Sequence, residues 1–434
     1  MARPPLDSAP EQETALLVGV QFRQKHDWDI HDSLDELALL SETAGAKVLD
    51  RVICRQVSVN PATFIGKGKS EELGQRVKDL QATTVVFDDD LTPAQGRNLA
   101  NIIQAKIIDR TQLILDIFAQ HARTKEGGLQ IELAQLQYLL PRLRHMWTHL
   151  ERQKGGIGLR GPGERQLEVD RRRIQDRIVR IKKSLEQVRG HRSEQRRGRR
   201  RHGWALITLV GYTNAGKSTL LNSLTGANVE AYDQLFATLD PTTRQIRLSN
   251  HQPALITDTV GFIRKLPHHL VESFKATLEE VNEADLLLHV VDTAHPRADE
   301  QMAAVDAVLR QLGAEEKPVL MVLNKMDLPA AQAQARRIAE RYRHVVELSA
   351  LKGEGLEALK DAIADFLKGR NVRIKMRIPP SEGKLLAALR GAGRIFSMVY
   401  EDDGVVYVDA GVPGHLFGAC ARFSAEPAEK PKDH

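Results

Sequence analysis

The 434-residue sequence predicts an α/β protein in four parts, and three observations predict it. Strand-length apolar runs alternate with helix-spaced segments towards both ends of the chain. Two heptad stripes lie in its middle. A glycine-rich segment, Gly211-Tyr212-Thr213-Asn214-Ala215-Gly216-Lys217-Ser218, follows an apolar run and opens a helical one. The expected parts are a small α/β domain over 1–126, an antiparallel coiled-coil hairpin over 127–203, a phosphate-loop domain with a mixed, mostly parallel sheet over 204–369, and a small α/β domain with a disordered tail over 370–434.

Composition bounds the class. At 42% hydrophobic residues, the chain can build packed cores. Its apolar runs, such as Asp285–Val291, are strand length and too short to cross a bilayer. The N-terminus carries acidic residues and no apolar centre, unlike a signal peptide, so a cytoplasmic protein without integral membrane association is expected. Cys54 and Cys420 lie far apart and match neither a disulfide framework nor a metal spacing, which fits inert thiols in a reducing compartment.

The first part follows from Ala15–Gln21, Lys47–Val59 and Thr83–Asp88, which are β-branched, apolar and strand-like, with helical spacing near 32–44, 68–81 and 92–105. A Gly-Lys-Gly-Lys stretch at 66–69 is a turn by default. In the second part Leu129, Leu133, Leu136, Leu140, Leu143, Trp147 and Leu150 recur in steps of four and three. Leu167, Ile174, Ile178, Ile181, Leu185 and Val188 keep the same rhythm, so two helices should pair. Pro141 should kink the first or limit its length. Between Arg152 and Arg201 stand 18 Lys and Arg against 6 Asp and Glu, although the whole chain carries only +5. The charge is concentrated in this hairpin, and a polyanion, above all RNA, is the expected partner; no DNA partner is expected. Its tip, Gly155–Gly163, holds five glycines in nine residues and cannot be a packing element. A soft loop bearing Arg160 suits insertion into a crevice of folded RNA.

The third part carries the chemistry. A strand, Ala205–Val210, leads into Gly211–Ser218, whose backbone N–H groups would converge on phosphates at a helix N-terminus. Lys217 would place its charge on the β- and γ-phosphates, and the Ser218 hydroxyl would ligate Mg²⁺. The loop Phe236-Ala237-Thr238-Leu239-Asp240 should supply a threonine that binds Mg²⁺ and senses the γ-phosphate. Thr238 is the first candidate, with Thr242 and Thr243 as alternatives. In Asp258-Thr259-Val260-Gly261, Asp258 would hold Mg²⁺ through water and the Gly261 N–H would meet the γ-phosphate. Lys217, Thr238 and Gly261 are the candidate catalytic set. Asn324-Lys325-Met326-Asp327 ends a further strand. The Asp327 carboxylate can accept both the N1–H and the exocyclic amine of guanine, a donor pair adenine lacks. Ser349-Ala350-Leu351 would offer backbone N–H groups to the base oxygen O6. The ligand is therefore GTP or GDP.

Two residues qualify the hydrolysis. Some GTPases orient the attacking water with a glutamine after this glycine. Here Phe262 follows Gly261, so hydrolysis should be slow without a partner. Asn214 in the phosphate loop suggests a potassium ion beside the phosphates. The fourth part reads as strand Val372–Ile378, helix Ser381–Leu389 and a hairpin over Arg394–Asp409 turning at Asp402-Asp403-Gly404.

The stretches GLQIELAQLQYLLPRL (128–143), GGIGLRGPGERQLEVDRR (155–172), GYTNAGKSTL (211–220), LFATLDPTTR (235–244) and DTVGFIRKLPHHLVESFKATLEE (258–280) resemble the HflX family of ribosome-associated GTPases. The resemblance covers roughly 15–370. It implies a bacterial GTPase that binds the large ribosomal subunit and its RNA, sets the glycine-rich loop near the peptidyl transferase centre and splits stalled or idle ribosomes under stress. ATP binding through the N-terminal region is also associated with the family, but no adenine-reading motif locates it here. A GTPase of large-subunit assembly, or an RNA-remodelling protein with a structural nucleotide, are the alternatives. A monomer is expected.

Overall fold

The structure is a computed structural model describing residues 12–22, 30–143, 162–201, 204–226, 235–236, 238–239, 241–250, 252–265, 279–368, 371–392, 394–401, 403–413, 416 and 419–425. It divides into two compact units. One comprises 1–186 with 232–240 and 265–275; the other comprises 187–231, 241–264 and 276–434.

The first unit is built on a parallel sheet of order β2-β1-β3-β4, from β1 (Thr14–Phe22), β2 (Lys47–Gln56), β3 (Thr84–Phe87) and β4 (Lys106–Asp109). Helices α1 (Ile30–Thr43), α2 (Lys67–Leu80) and α3 (Pro93–Ile103) are the crossovers, as parallel neighbours require. Leu16, Val18 and Val20 of β1 pack with Val85, Phe87, Leu73, Leu99 and Ile103 in one core. Helix α3 starts cleanly: the Thr92 hydroxyl accepts from the Gln95 N–H, the Gln95 side chain accepts from the Thr92 N–H, and Pro93 stands at the first helical position. The Gly66–Lys69 stretch is not a turn as expected: Gly66 is the N-cap and residues 67–69 are already the first turn of α2.

Helix α4 (Arg110–His121) leads to α5 (Lys125–Leu139). The latter stops just short of Pro141, which limits the first arm of the hairpin. Arg142 turns back instead. Its guanidinium donates to Asp109 (3.0 Å) and the Leu91 carbonyl (2.8 Å) and lies 3.4 Å over the Tyr138 ring, while the Tyr138 hydroxyl donates to Asp109 (2.8 Å). The second arm, α6 (Pro162–Arg201), is 40 residues long. Leu133, Ile181 and Leu185 are buried together, flanked by Leu129, Leu136 and Ile178, so the two heptad stripes meet. Arg177 and Glu132 form a two-pronged ion pair beside them. The expected positions Trp147 and Leu150 and the glycine-rich tip at 155–161 lie outside the described residues.

In the second unit the sheet order is β10-β9-β8-β5-β7-β6, built from β5 (Ala205–Gly211), β6 (Thr242–Arg247), β7 (Pro253–Asp258), β8 (Leu286–Asp292), β9 (Val319–Asn324) and β10 (Val345–Glu347). All pairs are parallel except β6 with β7, which gives the mixed, mostly parallel sheet. Helices α7 (Lys217–Thr225), α8 (Glu279–Glu283), α9 (Ala298–Gln311), α10 (Ala331–Ala339) and α11 (Leu356–Lys368) accompany it. Chain order reverses around β5, so its carboxyl end is the switch point where such sheets bind ligands. The same unit holds a small antiparallel sheet, β11 (Asn371–Ile378), β13 (Val406–Pro413) and β12 (Arg394–Tyr400) in that spatial order, with α12 (Gly383–Ala392) packed on one face. The disordered tail expected after residue 425 falls on residues outside the described set.

Candidate functional site

The phosphate loop sits at the carboxyl end of β5 and at the N-terminus of α7. Gly216 precedes α7 at φ +92°, and a Cβ there would stand 2.3 Å from Asn324 Nδ2, so no side chain can be accepted. Asn214 is also left-handed (φ 59°). Lys217 is buried and donates from Nζ to the carbonyls of Tyr212 (2.8 Å) and Gly211 (3.2 Å). Burial holds its pKa down to about 8, with the nearby Asp258 charge opposing the shift. Beneath it His289 is buried; desolvation, helped by Lys217, pushes its pKa to about 4, so it is a neutral ring at physiological pH.

The fit to a magnesium triphosphate rests on the donor set. The Ser218 hydroxyl donates to Asp258 Oδ2 at 2.7 Å, so two hard oxygens of the kind Mg²⁺ takes converge from α7 and β7. The Thr213 hydroxyl is buried in the same loop with no hydrogen-bond partner. Gly261 closes on this group: a Cβ there would lie 3.0 Å from Lys217 Nζ and 2.9 Å from Thr213 Cα.

Phe262 has a role its sequence position did not show. Its N–H donates to the Gly211 carbonyl (3.1 Å), and its carbonyl accepts from the Thr213 N–H (2.7 Å). Its ring is 1% exposed. The residue therefore clasps the segment after β7 to the phosphate loop through its backbone and seals the joint with its side chain. Tyr212 adds a second tie, its hydroxyl accepting from the Arg264 N–H at 2.9 Å. Thr259 is structural too: its hydroxyl donates to the Leu209 carbonyl at 2.7 Å, and Val260 is buried.

The base-reading end is equally built. Asn324 donates to the Ala215 carbonyl (2.8 Å) and accepts from the Ala350 N–H (2.9 Å), so one side chain locks the phosphate loop to Ser349-Ala350-Leu351. The Ala350 N–H would thus have to be shared between Asn324 and a base oxygen. Met326 anchors the turn, its N–H on the Leu348 carbonyl and its side chain against the cluster of Val291, Met302 and Leu323. Asp327 accepts from the Ser349 hydroxyl at 2.7 Å, and this bond holds its carboxyl below the usual range. Lys325, at φ 64°, is held by Asp292 at 2.6 Å. Asp292 was not among the sequence candidates; its signal was an acidic residue ending the apolar run of β8. Leu351 is 80% exposed beside the site.

The loop carrying Thr238 belongs to the first unit. Phe236 (φ 59°) and Leu239 are buried, and the Phe236 ring meets Phe118 of α4 edge-on at 4.6 Å between centroids. They anchor the loop. Ala237 and Asp240 lie outside the described residues. The alternatives to Thr238 are sheet residues: Thr242 and Thr243 begin β6, and the Thr243 hydroxyl bonds the Thr257 hydroxyl across to β7 at 2.9 Å. In the same first unit, Lys265 reaches Asp88 (2.6 Å) and Asp89 (2.7 Å), and Asp88 also pairs with buried Arg110 (2.7 Å).

Among the described residues no group of three or more His, Cys, Asp or Glu could hold a metal, and no helix is long and apolar enough to cross a membrane. A cavity of about 530 Å³ in the first unit is lined by Glu13, Ser41, Lys106, Asp116 and Gln120 among others and includes none of the candidate residues. Cys54 and Cys420 are free and buried, each thiol pushed up to about 11 mainly by desolvation.

Residues 31–119 match the family described as GTP-binding GTPase N-terminal, residues 121–199 the GTP-binding GTPase Middle Region, and residues 206–325 the 50S ribosome-binding GTPase. The GTPase HflX of Escherichia coli K12 is 47% identical over 402 residues, covering 92% of this chain and 94% of that protein. The GTPase HflX of Lacrimispora saccharolytica is 46% identical over 410 residues, covering 94% and 96%. A solved GTP-binding protein from the hyperthermophilic archaeon Sulfolobus solfataricus, in complex with GDP, is 27% identical with a TM-score of 0.44, over 82% of this chain and 98% of that one. With the glycine-rich loop at the end of β5, the Asn324–Asp327 turn tied to it and likeness along nearly the whole chain all in agreement, this protein is a GTPase and belongs to the HflX family.

Proposed function

We propose that this GTPase binds the large ribosomal subunit through its basic helical hairpin and splits stalled or idle ribosomes, with the nucleotide setting when it binds and leaves. The observation that carries the reading is Phe262. The position that could orient the attacking water is filled by a ring 1% exposed and clasped to the phosphate loop. Such a site grips GTP but has no side chain there to direct water, so a partner must complete it. The basic α6 supplies a means of finding that partner on RNA, and the family that residues 206–325 match is described as 50S ribosome-binding GTPase.

Within the site, the Gly211–Ser218 backbone and Lys217 would hold the β- and γ-phosphates. Ser218, Thr238 and, through water, Asp258 would hold Mg²⁺, which when bound neutralises charge on the phosphate oxygens. The Gly261 N–H would sense the γ-phosphate. Asp327 would accept from the guanine N1–H and amine, and Lys325, fixed by Asp292, would lie along the ring. Potassium beside Asn214 would add positive charge at the same oxygens; equal hydrolysis rates in sodium and potassium buffers would rule it out.

The test is gradient sedimentation of intact 70S ribosomes with the protein and GTP or a non-hydrolysable analogue, alongside GTPase rates with and without ribosomes. Free subunits appearing with either nucleotide, together with ribosome-stimulated hydrolysis, are expected. Binding confined to immature large subunits would replace splitting by an assembly role. Splitting that proceeds equally well with GDP or without nucleotide would refute the switch.

A further inference from the structure

The small sheet of the second unit has two unlike faces. Ile374, Met376 and Ile378 of β11 and Val406, Val408 and Ala410 of β13 point to Leu385 and Leu389 of α12 and form a closed core. The alternate residues point the other way. On β11 these are, after Asn371, Arg373, Lys375 and Arg377, three basic residues at successive alternate positions. Opposite them in register stand Gly411, Asp409 and Tyr407 of β13. Beyond, on β12, come Ser397 and Val399.

A bulge in β12 between Ile395 and Ser397 frees Phe396 from the ladder, and its ring is 46% exposed. Arg373 reaches over Gly411, which has no side chain in the way, and its guanidinium lies 4.5 Å from the Phe396 ring centroid. Asp409 holds that guanidinium by two hydrogen bonds, Nε–Oδ1 at 2.9 Å and Nη2–Oδ2 at 2.8 Å. The Arg373 side chain is nevertheless 64% exposed. A planar cation is thus held against an aromatic ring with much of its surface in water. Arg377, paired with Glu401, is 55% exposed four residues further along.

We propose that this open face binds single-stranded RNA, with a base stacking on the Phe396–Arg373 pair and the phosphates running along Lys375 and Arg377. The chemistry favours RNA over a protein partner. A protein-docking sheet face would present an apolar centre, whereas here three successive alternate residues of β11 are cationic, Val399 is a single exposed aliphatic group, and the exposed Phe396 ring already carries a guanidinium. Unpaired bases stack on aromatic rings and on guanidinium planes, and a short cationic row can follow one backbone. Its residues are none of those of the nucleotide site or of α6, so it would add a second contact on the polyanion of the proposed function.

The experiment uses the full chain with a 4-thiouridine-substituted single-stranded RNA of about 10 nucleotides, a length one such platform can hold. Ultraviolet cross-linking followed by peptide mapping should place cross-links within 394–400, whatever α6 contributes elsewhere. Phe396→Ala should weaken RNA binding by about tenfold, as loss of one base stack implies, while Phe396→Trp should restore it and GTP affinity should not move. Arg373→Lys, which keeps charge but loses the plane, should weaken binding nearly as much. Circular dichroism and unchanged GTP affinity will show that the variants fold. The proposal is overturned if cross-links are absent from 394–400, if Phe396→Ala binds within twofold of wild type, or if a ribosomal protein rather than RNA cross-links at Phe396 in the ribosome complex.

Discussion

Lys217 shows how much of the site's behaviour one desolvated charge can set. Its pKa of about 8, against an ordinary value of 10.5, means that between those values the folded protein binds fewer protons than the unfolded chain. Stability without nucleotide should therefore rise with pH across that window. Phosphates close to Nζ favour the charged form, so GTP binding should take up about half a proton or more near pH 8.5 and almost none near pH 6.5. Calorimetry in buffers of different ionisation enthalpy measures this; uptake independent of pH would refute it. At the other end of the nucleotide, Asp327→Ala removes two charge-assisted hydrogen bonds to guanine and should lower GTP affinity by at least about 100-fold. Preference over ATP should fall with it, read by competition against a fluorescent nucleotide. Phe262 makes the sharpest residue-level case. Phe262→Gln should not speed hydrolysis, because the side chain at this position points into packed surroundings, and it should lower the melting temperature. Phe262→Ala should cost roughly 3–5 kcal/mol by urea denaturation. A faster Gln variant would show that the ring leaves the core during turnover.

Among the elements, the basic hairpin depends on a small contact. Three buried residues, Leu133, Ile181 and Leu185, join α5 to a helix of 40 residues. Ile181→Ala should cost roughly 2–5 kcal/mol of local stability, seen as faster amide exchange in α5 and the middle of α6 with GTP affinity unchanged. The half-exposed Glu132–Arg177 pair beside it should matter far less, because water screens it. These stripes were legible in the sequence, since a seven-residue repeat survives inspection without any partner. Strands β1 to β3 were legible as apolar, β-branched runs, whereas β4 and α4 carry no such local mark. At Lys106–Asp109 the strand is only four residues long and runs directly into the helix, leaving no turn residues to mark the border.

For the molecule as a whole, the two compact units divide the chain differently from its sequence parts. The loops around Thr238 and after Gly261, which read as pieces of the GTPase part, fall in the unit of the N-terminal sheet. No local pattern announces this, because Phe236–Phe118 and Lys265–Asp88 join residues more than a hundred positions apart. By itself the sequence determined the ligand class and the paired helices, and it marked the segments proposed to hold the phosphates and read the guanine. Each of these is a short stretch whose spacing already states its chemistry. Tertiary structure decided that Asn324 ties the phosphate loop to Ala350, that Asp292 fixes Lys325, and that Phe262 is a clasp rather than merely a missing glutamine. It also set Phe396 beside Arg373 across a glycine. These are pairings between distant strands and loops, and strand order and register, which create them, are fixed by burial of the sheets rather than by any run of neighbouring residues.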